Sequence, residues 1–235
     1  MSRAFSRREL LLFAAASLAL RGDTTAEDDL AEYCFTIRPH CTLRAAALTT
    51  TPEAFLRDHP DALAAINGPY YGLHDRRYQT EGLVYYRGNR NDGLHIERST
   101  QRIDGYFIVN GNGDKVSVQR ERPKDLHDEW LTLGTFPLLA AHGLTLPQRP
   151  SPTAYRAAIG TKDETDICFA VSRQPVTMSD WAHLLHDHHY QGAINLDGGP
   201  VASLATRTAH GITLGGGNEH TAPQPTALIL YAARQ

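Results

Sequence analysis

The sequence predicts an α+β fold: a single domain in which a mixed, mostly short-stranded sheet is covered by a few packing helices. Three observations lead there. The chain has 235 residues, 41% hydrophobic and 21% charged, which is the composition of an ordinary globular protein able to bury one core. Short apolar runs bounded by Gly, Asn, Asp and Pro recur along most of it and read as strands. Helix start signals are confined to a few segments.

The first segment stands apart from the domain. Residues 1–22 open with Arg3, Arg7 and Arg8 and continue into an apolar run from Leu10 to Leu20. That run is shorter than the roughly 20 apolar residues a spanning helix needs, and it fits the basic and hydrophobic regions of an export signal. Ser6-Arg7-Arg8-Glu9-Leu10-Leu11 has the form of a twin-arginine signal, which implies the twin-arginine export machinery as a partner and a periplasmic or secreted destination. Residues 23–235 are then the functional domain. The first 22 residues hold four of the 23 basic and one of the 26 acidic side chains, so the remainder carries a formal charge of −6. Such an acidic domain suits neither a nucleic acid nor an anionic membrane, and an anionic substrate would need a local basic pocket.

Within the domain, Tyr33-Cys34-Phe35-Thr36-Ile37 alternates large and smaller residues and reads as a strand. Arg38-Pro39-His40 supplies a turn, and residues 41–48 offer the returning strand of a hairpin. That hairpin would set Cys34 opposite Cys41, either paired in an oxidising compartment or as two small buried residues. Cys168, in the apolar run 167–171, reads as core. Thr51-Pro52-Glu53 is a helix start, with Thr as cap, Pro at the first position and an acid in the first turn; this helix ends before Pro60. A buried strand over 62–66 leads into Asn67-Gly68-Pro69. Residues 82–86, 106–109 and 116–119 are short strands, the last two joined by the turn Asn110-Gly111-Asn112-Gly113-Asp114. Residues 146–153 form a proline-rich loop. Residues 177–189 are the strongest helix, with Thr177 and Asp180 as a capping box, Gly192 as its stop, and Trp181, Leu184, Leu185 and His188 on one face. Strands over 193–196 and 227–231 complete the domain.

The chemistry concentrates where strands run into glycines. Ala193-Ile194-Asn195-Leu196-Asp197-Gly198-Gly199-Pro200 delivers a carboxylate from a buried strand into a double-glycine turn. Asp197 is placed there for acid/base work or for holding a cation, and the Gly198 and Gly199 amides could bind an anion; the plain alternative is a self-capped Asp-Gly turn. Ala65-Ile66-Asn67-Gly68-Pro69-Tyr70-Tyr71-Gly72 repeats the pattern with aromatics of the kind that stack on sugar rings, though a turn alone would explain it. Arg156, entering the apolar run Ala157-Ala158-Ile159-Gly160, demands an anionic partner: a structural carboxylate or a substrate phosphate. Glu81 adds a second carboxylate beside Gly82. His183, His186, Asp187, His188 and His189 crowd one helix without an ordered third ligand, so no metal site is expected. The GxSxG, GxxxxGK[ST] and HExxH motifs do not occur, and no cofactor is implied.

The order of these motifs resembles the phosphodiester glycosidase domain family. The series runs through Asn67-Gly68, Glu81-Gly82-Leu83 with Arg87-Gly88, Gly134-Thr135-Phe136-Pro137 with Gly143, Arg156 to Gly160, Ala170-Val171-Ser172 and Asn195-Leu196-Asp197-Gly198-Gly199. It spans about Tyr33 to Tyr231. Two departures stand out: Pro200-Val201-Ala202-Ser203 follows the NLDGG element where the family commonly has a small Gly/Ser pair, and Glu81-Gly82-Leu83 stands where Pro-Gly-Leu is frequent. The resemblance implies hydrolysis of a sugar phosphodiester at the sugar carbon, giving free sugar and a phosphomonoester. Asp197 would activate water or stabilise the cationic sugar, with Glu81 as its partner. Arg156 with the Gly198 and Gly199 amides would stabilise the leaving phosphate. Asn67, Gly68 and Asn195 would position hydroxyls or phosphate oxygens. A sugar-phosphate binding module without turnover, an envelope-associated structural protein and a metal-dependent phosphodiesterase are the rival readings.

Overall fold

The computed structural model of the chain describes residues 29–37, 41–74, 77–88, 93–98, 103–216 and 226–234; the expected export signal and the Arg38-Pro39-His40 turn lie outside them. In chain order the first elements are β1 (Leu30–Thr36), β2 (Cys41–Ala46), α1 (Pro52–Asp58), β3 (Ala62–Asn67), β4 (Tyr71–His74), β5 (Arg77–Thr80) and β6 (Gly82–Tyr86). Then come β7 (Leu94–Arg98), β8 (Gly105–Asn110), β9 (Val116–Gln119), β10 (Glu129–Thr135), β11 (Leu138–Ala141), β12 (Leu144–Thr145) and β13 (Ala157–Thr161). The last are β14 (Asp166–Ser172), α2 (Met178–Asp187), β15 (Gly192–Asn195), β16 (Leu204–Thr208), β17 (Gly211–Gly215) and β18 (Ile229–Arg234). The fold is therefore richer in strand than the α+β expectation, with two α-helices among the described residues.

Three large sheets carry the domain, ordered β1-β14-β13-β15-β11-β12, β7-β6-β10-β8-β9 and β17-β16-β3-β18-β2, with β4-β5 as a small ribbon. All the described ladders run antiparallel, not mixed. Parallel neighbours need long crossovers, usually helical, and this chain devotes little sequence to helix.

Strand alternation explains how sheets and helices share the apolar residues. Ile159, Phe169, Ile194, Ile66, Leu230, Phe107, Leu131 and Leu133 point into one core common to the three sheets. Their neighbours point the other way. Ala158, Cys168, Ala170 and Ala193 make a flat, small-residue floor on which α2 lays Met178, Trp181, Ala182 and Leu185. Ala62, Ala65, Ala205 and Ile229 do the same for Phe55 and Leu56 of α1. Strands buried on both faces read as continuous apolar runs, as β13 to β15 do.

Both helices start where the sequence says. Thr51 Oγ1 accepts from the Ala54 amide at 3.2 Å, with Pro52 in the first turn, and Thr177 Oγ1 accepts from the Asp180 amide at 3.1 Å. The end of α2 differs from expectation. It stops at Asp187, and His189 takes a left-handed conformation (φ 66°), while Gly192 opens β15. Gly192 is needed for another reason: a Cβ there would lie 2.6 Å from Val118 Cβ, so β9 packs directly on its backbone.

The expected Cys34–Cys41 hairpin does not form. β1 pairs with β14 and β2 with β18, in different sheets, so the two cysteines are never cross-strand neighbours. Cys34 instead faces Cys168 in register and is disulfide-bonded to it, across a sequence separation of 134. Cys168 is thus a bridge as well as a core residue. Cys41 is a free, buried thiol whose burial pushes its pKa up to about 12.

Candidate active site

The site forms where the ends of β3 and β15, strands of different sheets, meet. The Asp197 amide donates to the Gly68 carbonyl at 3.1 Å, and Asn67 Nδ2 donates to the Asp197 carbonyl at 2.8 Å. Asn67 Oδ1 accepts from the Ser203 amide at 3.1 Å, so this fully buried side chain fastens three segments together. Gly68 permits the approach: its amide donates to the Leu228 carbonyl at 2.7 Å, and a Cβ there would sit 2.6 Å from Leu228 Cδ2. Leu196 continues the β15 line by donating to the Ala157 carbonyl at 2.8 Å, which brings the start of β13, and with it Arg156, alongside.

Glu81 arrives from a third direction. Its amide donates to the Tyr70 carbonyl at 2.7 Å, just ahead of β6. Gly82 follows at φ 92°, with its Cα facing the Gly134 carbonyl so closely that a Cβ would lie 2.4 Å from that oxygen. The Gly134-Thr135-Phe136 segment therefore backs Glu81 directly. A narrow recess is lined by Tyr70, Glu81, Gly82, Ile103, Thr135 and Phe136. Tyr70 is held by stacking on Phe136, centroids 4.7 Å apart at 14°, and its hydroxyl accepts from Asn195 Nδ2 at 2.7 Å.

The electrostatics single out Asp197. Burial pushes its carboxyl up from 3.8 to about 7; the Gly198 amide, donating to Oδ1 at 2.8 Å, pulls it down, and the charge of Glu81 pushes it further up. It is half-buried, so it can still be reached. Burial also pushes the Tyr70 phenol up to about 12, with the Asp197 charge adding to the rise and Arg156 opposing it.

Arg156 is buried at 8% exposure. The sequence argument requires an anion beside it, but its guanidinium is held by neutral acceptors: Nε donates to the Val176 carbonyl at 3.2 Å and Nη2 to the Pro152 carbonyl at 2.6 Å and Ser151 Oγ at 3.5 Å. Main-chain dipoles thus solvate the cation without cancelling its charge.

The structure brings Asn67, Gly68, Glu81, Arg156, Asn195, Asp197, Gly198 and Gly199 into one neighbourhood, yet not all are free for a ligand. The Gly198 amide is spent on Asp197 Oδ1, and the Gly199 amide donates to the Tyr155 carbonyl at 2.8 Å. The anion-binding nest expected from the double glycine is therefore filled by the protein's own acceptors. Asn67 and Gly68 likewise bond inward and act on the position of Asp197. Asn195 is fully buried; its Nδ2 serves Tyr70 and the Leu196 carbonyl, while Oδ1 has no partner among the described residues. Sequence reasoning offered Tyr70 only as one of two aromatics of the kind that stack on sugar rings, and Phe136 only as part of a motif, and gave neither a role at the site. The signal was present, since Tyr70 follows Asn67-Gly68-Pro69 directly and Phe136 lies in the Gly-Thr-Phe-Pro element.

A groove of about 710 Å³ lies elsewhere, between β9, the Lys124–Glu129 segment and the Thr161–Glu164 turn, and it includes none of these residues. Its lining mixes both charges, and burial raises Glu129 there as well, but the carboxyl pushed to about 7 is Asp197 in the strand-end cluster. Among the described residues no three His, Cys, Asp or Glu side chains gather closely enough to hold a metal ion, and no helix is long and apolar enough to cross a membrane.

A β-rich domain with two carboxylates and a buried arginine at converging strand ends defines the class. The sequence model of the phosphodiester glycosidase family matches residues 60–231, and the chain belongs to that family. The fold is similar to that of the zebrafish N-acetylglucosamine-1-phosphodiester alpha-N-acetylglucosaminidase catalytic domain, which is auto-inhibited by its pro-peptide. The TM-score is 0.61 at 15% identity, covering 92% of this chain and 86% of that one. A hypothetical protein from Synechocystis is similar at TM-score 0.58 and 14% identity, over 88% of this chain and 59% of that one. No protein of curated function matches the sequence.

Proposed function

We propose that the chain hydrolyses a sugar phosphodiester at the sugar's C–O bond, releasing free sugar and a phosphomonoester. The observation that carries this reading is Asp197. A carboxyl held near 7 at the end of a buried strand, with Glu81 raising it further, is poised for proton transfer at neutral pH. Ionised Asp197 would take a proton from the attacking water or stabilise the positive sugar, with Glu81 as the second carboxylate. Arg156, uncancelled by any carboxylate among its hydrogen-bond partners, would hold the phosphate; it stays charged at any working pH. The family supports a glycan phosphodiester as substrate, and the zebrafish relative's name suggests an N-acetylglucosamine 1-phosphodiester as the first one to try.

The same reading includes export. The twin-arginine-like signal rests on the sequence of residues 1–22, and the Cys34–Cys168 disulfide supports a periplasmic or secreted destination, because such bonds persist in oxidising compartments.

The test incubates the purified chain with UDP-N-acetylglucosamine beside Asp197→Asn and measures free N-acetylglucosamine. Release by wild type alone supports both reaction and residue. In ¹⁸O-water, a glycosidase puts the label in the sugar, whereas a phosphodiesterase puts it in the phosphate. Binding of the sugar phosphate without release would favour the non-catalytic module.

A further inference from the structure

We infer that Tyr70 is a substrate-contacting hydrogen-bond donor, directed at the oxygen that bridges sugar and phosphate, an inference that rests on the glycosidase reading above. The side-chain amide of Asn195 is fully buried. Its Nδ2 contacts the Leu196 carbonyl as well as the Tyr70 hydroxyl. An amide oxygen placed there would face another oxygen, so the Leu196 carbonyl fixes which end of the amide meets Tyr70. The phenol oxygen is consequently the acceptor in that bond, and its own proton is left to give. No protein acceptor for it occurs among the described residues.

Position says where the proton goes. The Tyr70 hydroxyl is bonded to Asn195, two residues before Asp197, and Leu196 between them is bonded to Ala157, the neighbour of Arg156. The hydroxyl is thus tied to the segment that carries the carboxylate, which would serve the sugar carbon, and the same segment runs alongside the strand start that carries the guanidinium, which would serve the phosphate. The atom of a sugar phosphodiester that joins those two groups is the bridging oxygen. Stacking on Phe136 keeps the ring from swinging away, and the ring borders the same recess as Glu81.

The step balances without proton transfer from Tyr70. Water oxygen bonds to the anomeric carbon and gives a proton to the Asp197 carboxylate. The C–O bond breaks and its electron pair goes to the bridging oxygen, which becomes an oxygen of the phosphomonoester. A phosphomonoester holds its last proton with a pKa of about 6. A phenol pushed to about 12 keeps its proton against so weak a base and stabilises the new charge by hydrogen bonding alone.

Tyr70→Phe tests this, because it removes the hydroxyl and retains the ring. On UDP-N-acetylglucosamine, kcat is expected to fall about 100-fold with KM within about 3-fold, the pattern of a contact made chiefly in the transition state. The dissociation constant for UDP, the product that carries the former bridging oxygen, is expected to rise about 5- to 10-fold. The midpoint of the pH–rate profile stays in place. A kcat within about 3-fold of wild type overturns the inference, as does a loss recovered by changing pH, which would mean that Tyr70 acts only through the proton affinity of Asp197. If wild type releases no sugar, the glycosidase reading falls first, and UDP binding still decides: equal affinity in wild type and Tyr70→Phe, or no binding to either, overturns the donor role as well.

Discussion

Replacing Asp197 with asparagine separates what this carboxylate does for chemistry from what it does to stability. The folded chain holds the carboxyl near 7, against 3.8 for the free group. The fold therefore favours the protonated form, and the unfolded chain ionises first as pH rises. Stability is undiminished below about pH 4, falls between about 4 and 7, and stays lowered above. The full span corresponds to about 4 kcal/mol at 1.36 kcal/mol per pH unit. Asp197 is only half-buried, so solvent screening leaves an expected penalty of about 1–3 kcal/mol. Asparagine keeps an oxygen to accept the Gly198 amide and loses the charge, so it should relieve the penalty without costing the turn. Urea denaturation at pH 4, 6 and 8 reads the outcome. Asp197→Asn should match wild type at pH 4 and exceed it by about 1–3 kcal/mol at pH 8, while sugar release is lost. Equal stability at pH 8, or a difference that does not change with pH, would refute the claim that burial strains this carboxylate.

The other consequences concern the supports of the site. If Asp197 acts as the base, kcat/KM should rise through about pH 7, and Glu81→Gln, by removing a neighbouring negative charge, should move that midpoint to lower pH; a midpoint that stays put or rises would remove Glu81 from the vicinity. Reducing Cys34–Cys168, or replacing both with serine, should lower stability by about 2–5 kcal/mol, since closing so long a segment removes much unfolded-state entropy, and an unchanged urea midpoint would refute it. Gly199→Ala meets nothing within 4 Å but must hold φ 63°, a cost of about 1–2 kcal/mol. Gly198→Ala drives a Cβ to 2.8 Å from the Tyr155 carbonyl, beside Arg156, and should be the more damaging to sugar release; the reverse order in a paired assay would contradict the geometry.

Local signals carried most of the legible structure. The caps at Thr51 and Thr177, the strands 62–66, 82–86 and 116–119, and the turn at 110–114 are written in short-range chemistry, and the chain obeys it. What failed depended on distant partners. The spacing of Cys34 and Cys41 suggests a hairpin, but strand pairing was decided by which faces could be buried, which sent β1 to β14 and β2 to β18. Gly192 looked like a helix stop because nothing local announces that Val118 will lie against it. The cluster of Asn67, Glu81, Arg156 and Asp197 was legible because each sits where a strand meets glycine or enters an apolar run. The roles of individual atoms were not. Only the folded backbone shows that the Gly198 and Gly199 amides are already engaged and that Asn67 faces inward.

That engagement changes how the site handles charge. With the glycine amides used internally, Arg156 is left as the fixed positive end, and Glu81 with Asp197 forms the opposite end. A phosphodiester carries its charge on one side of the bond to be broken and a neutral sugar on the other. On the proposed reading, attraction of the phosphate to Arg156 and its repulsion from the carboxylates would both favour the same orientation, with the sugar carbon toward Asp197. Solvation of Arg156 by the Val176 and Pro152 carbonyls, and not by an acid, makes this polarity possible: a carboxylate partner there would hold the side chain equally well and abolish the attraction. In the proposed reaction the polarity would also favour product release: cleavage puts an extra negative charge on the phosphate, and once Asp197 has passed the water's proton to solvent, the carboxylate end would repel the product more strongly than it repelled the substrate.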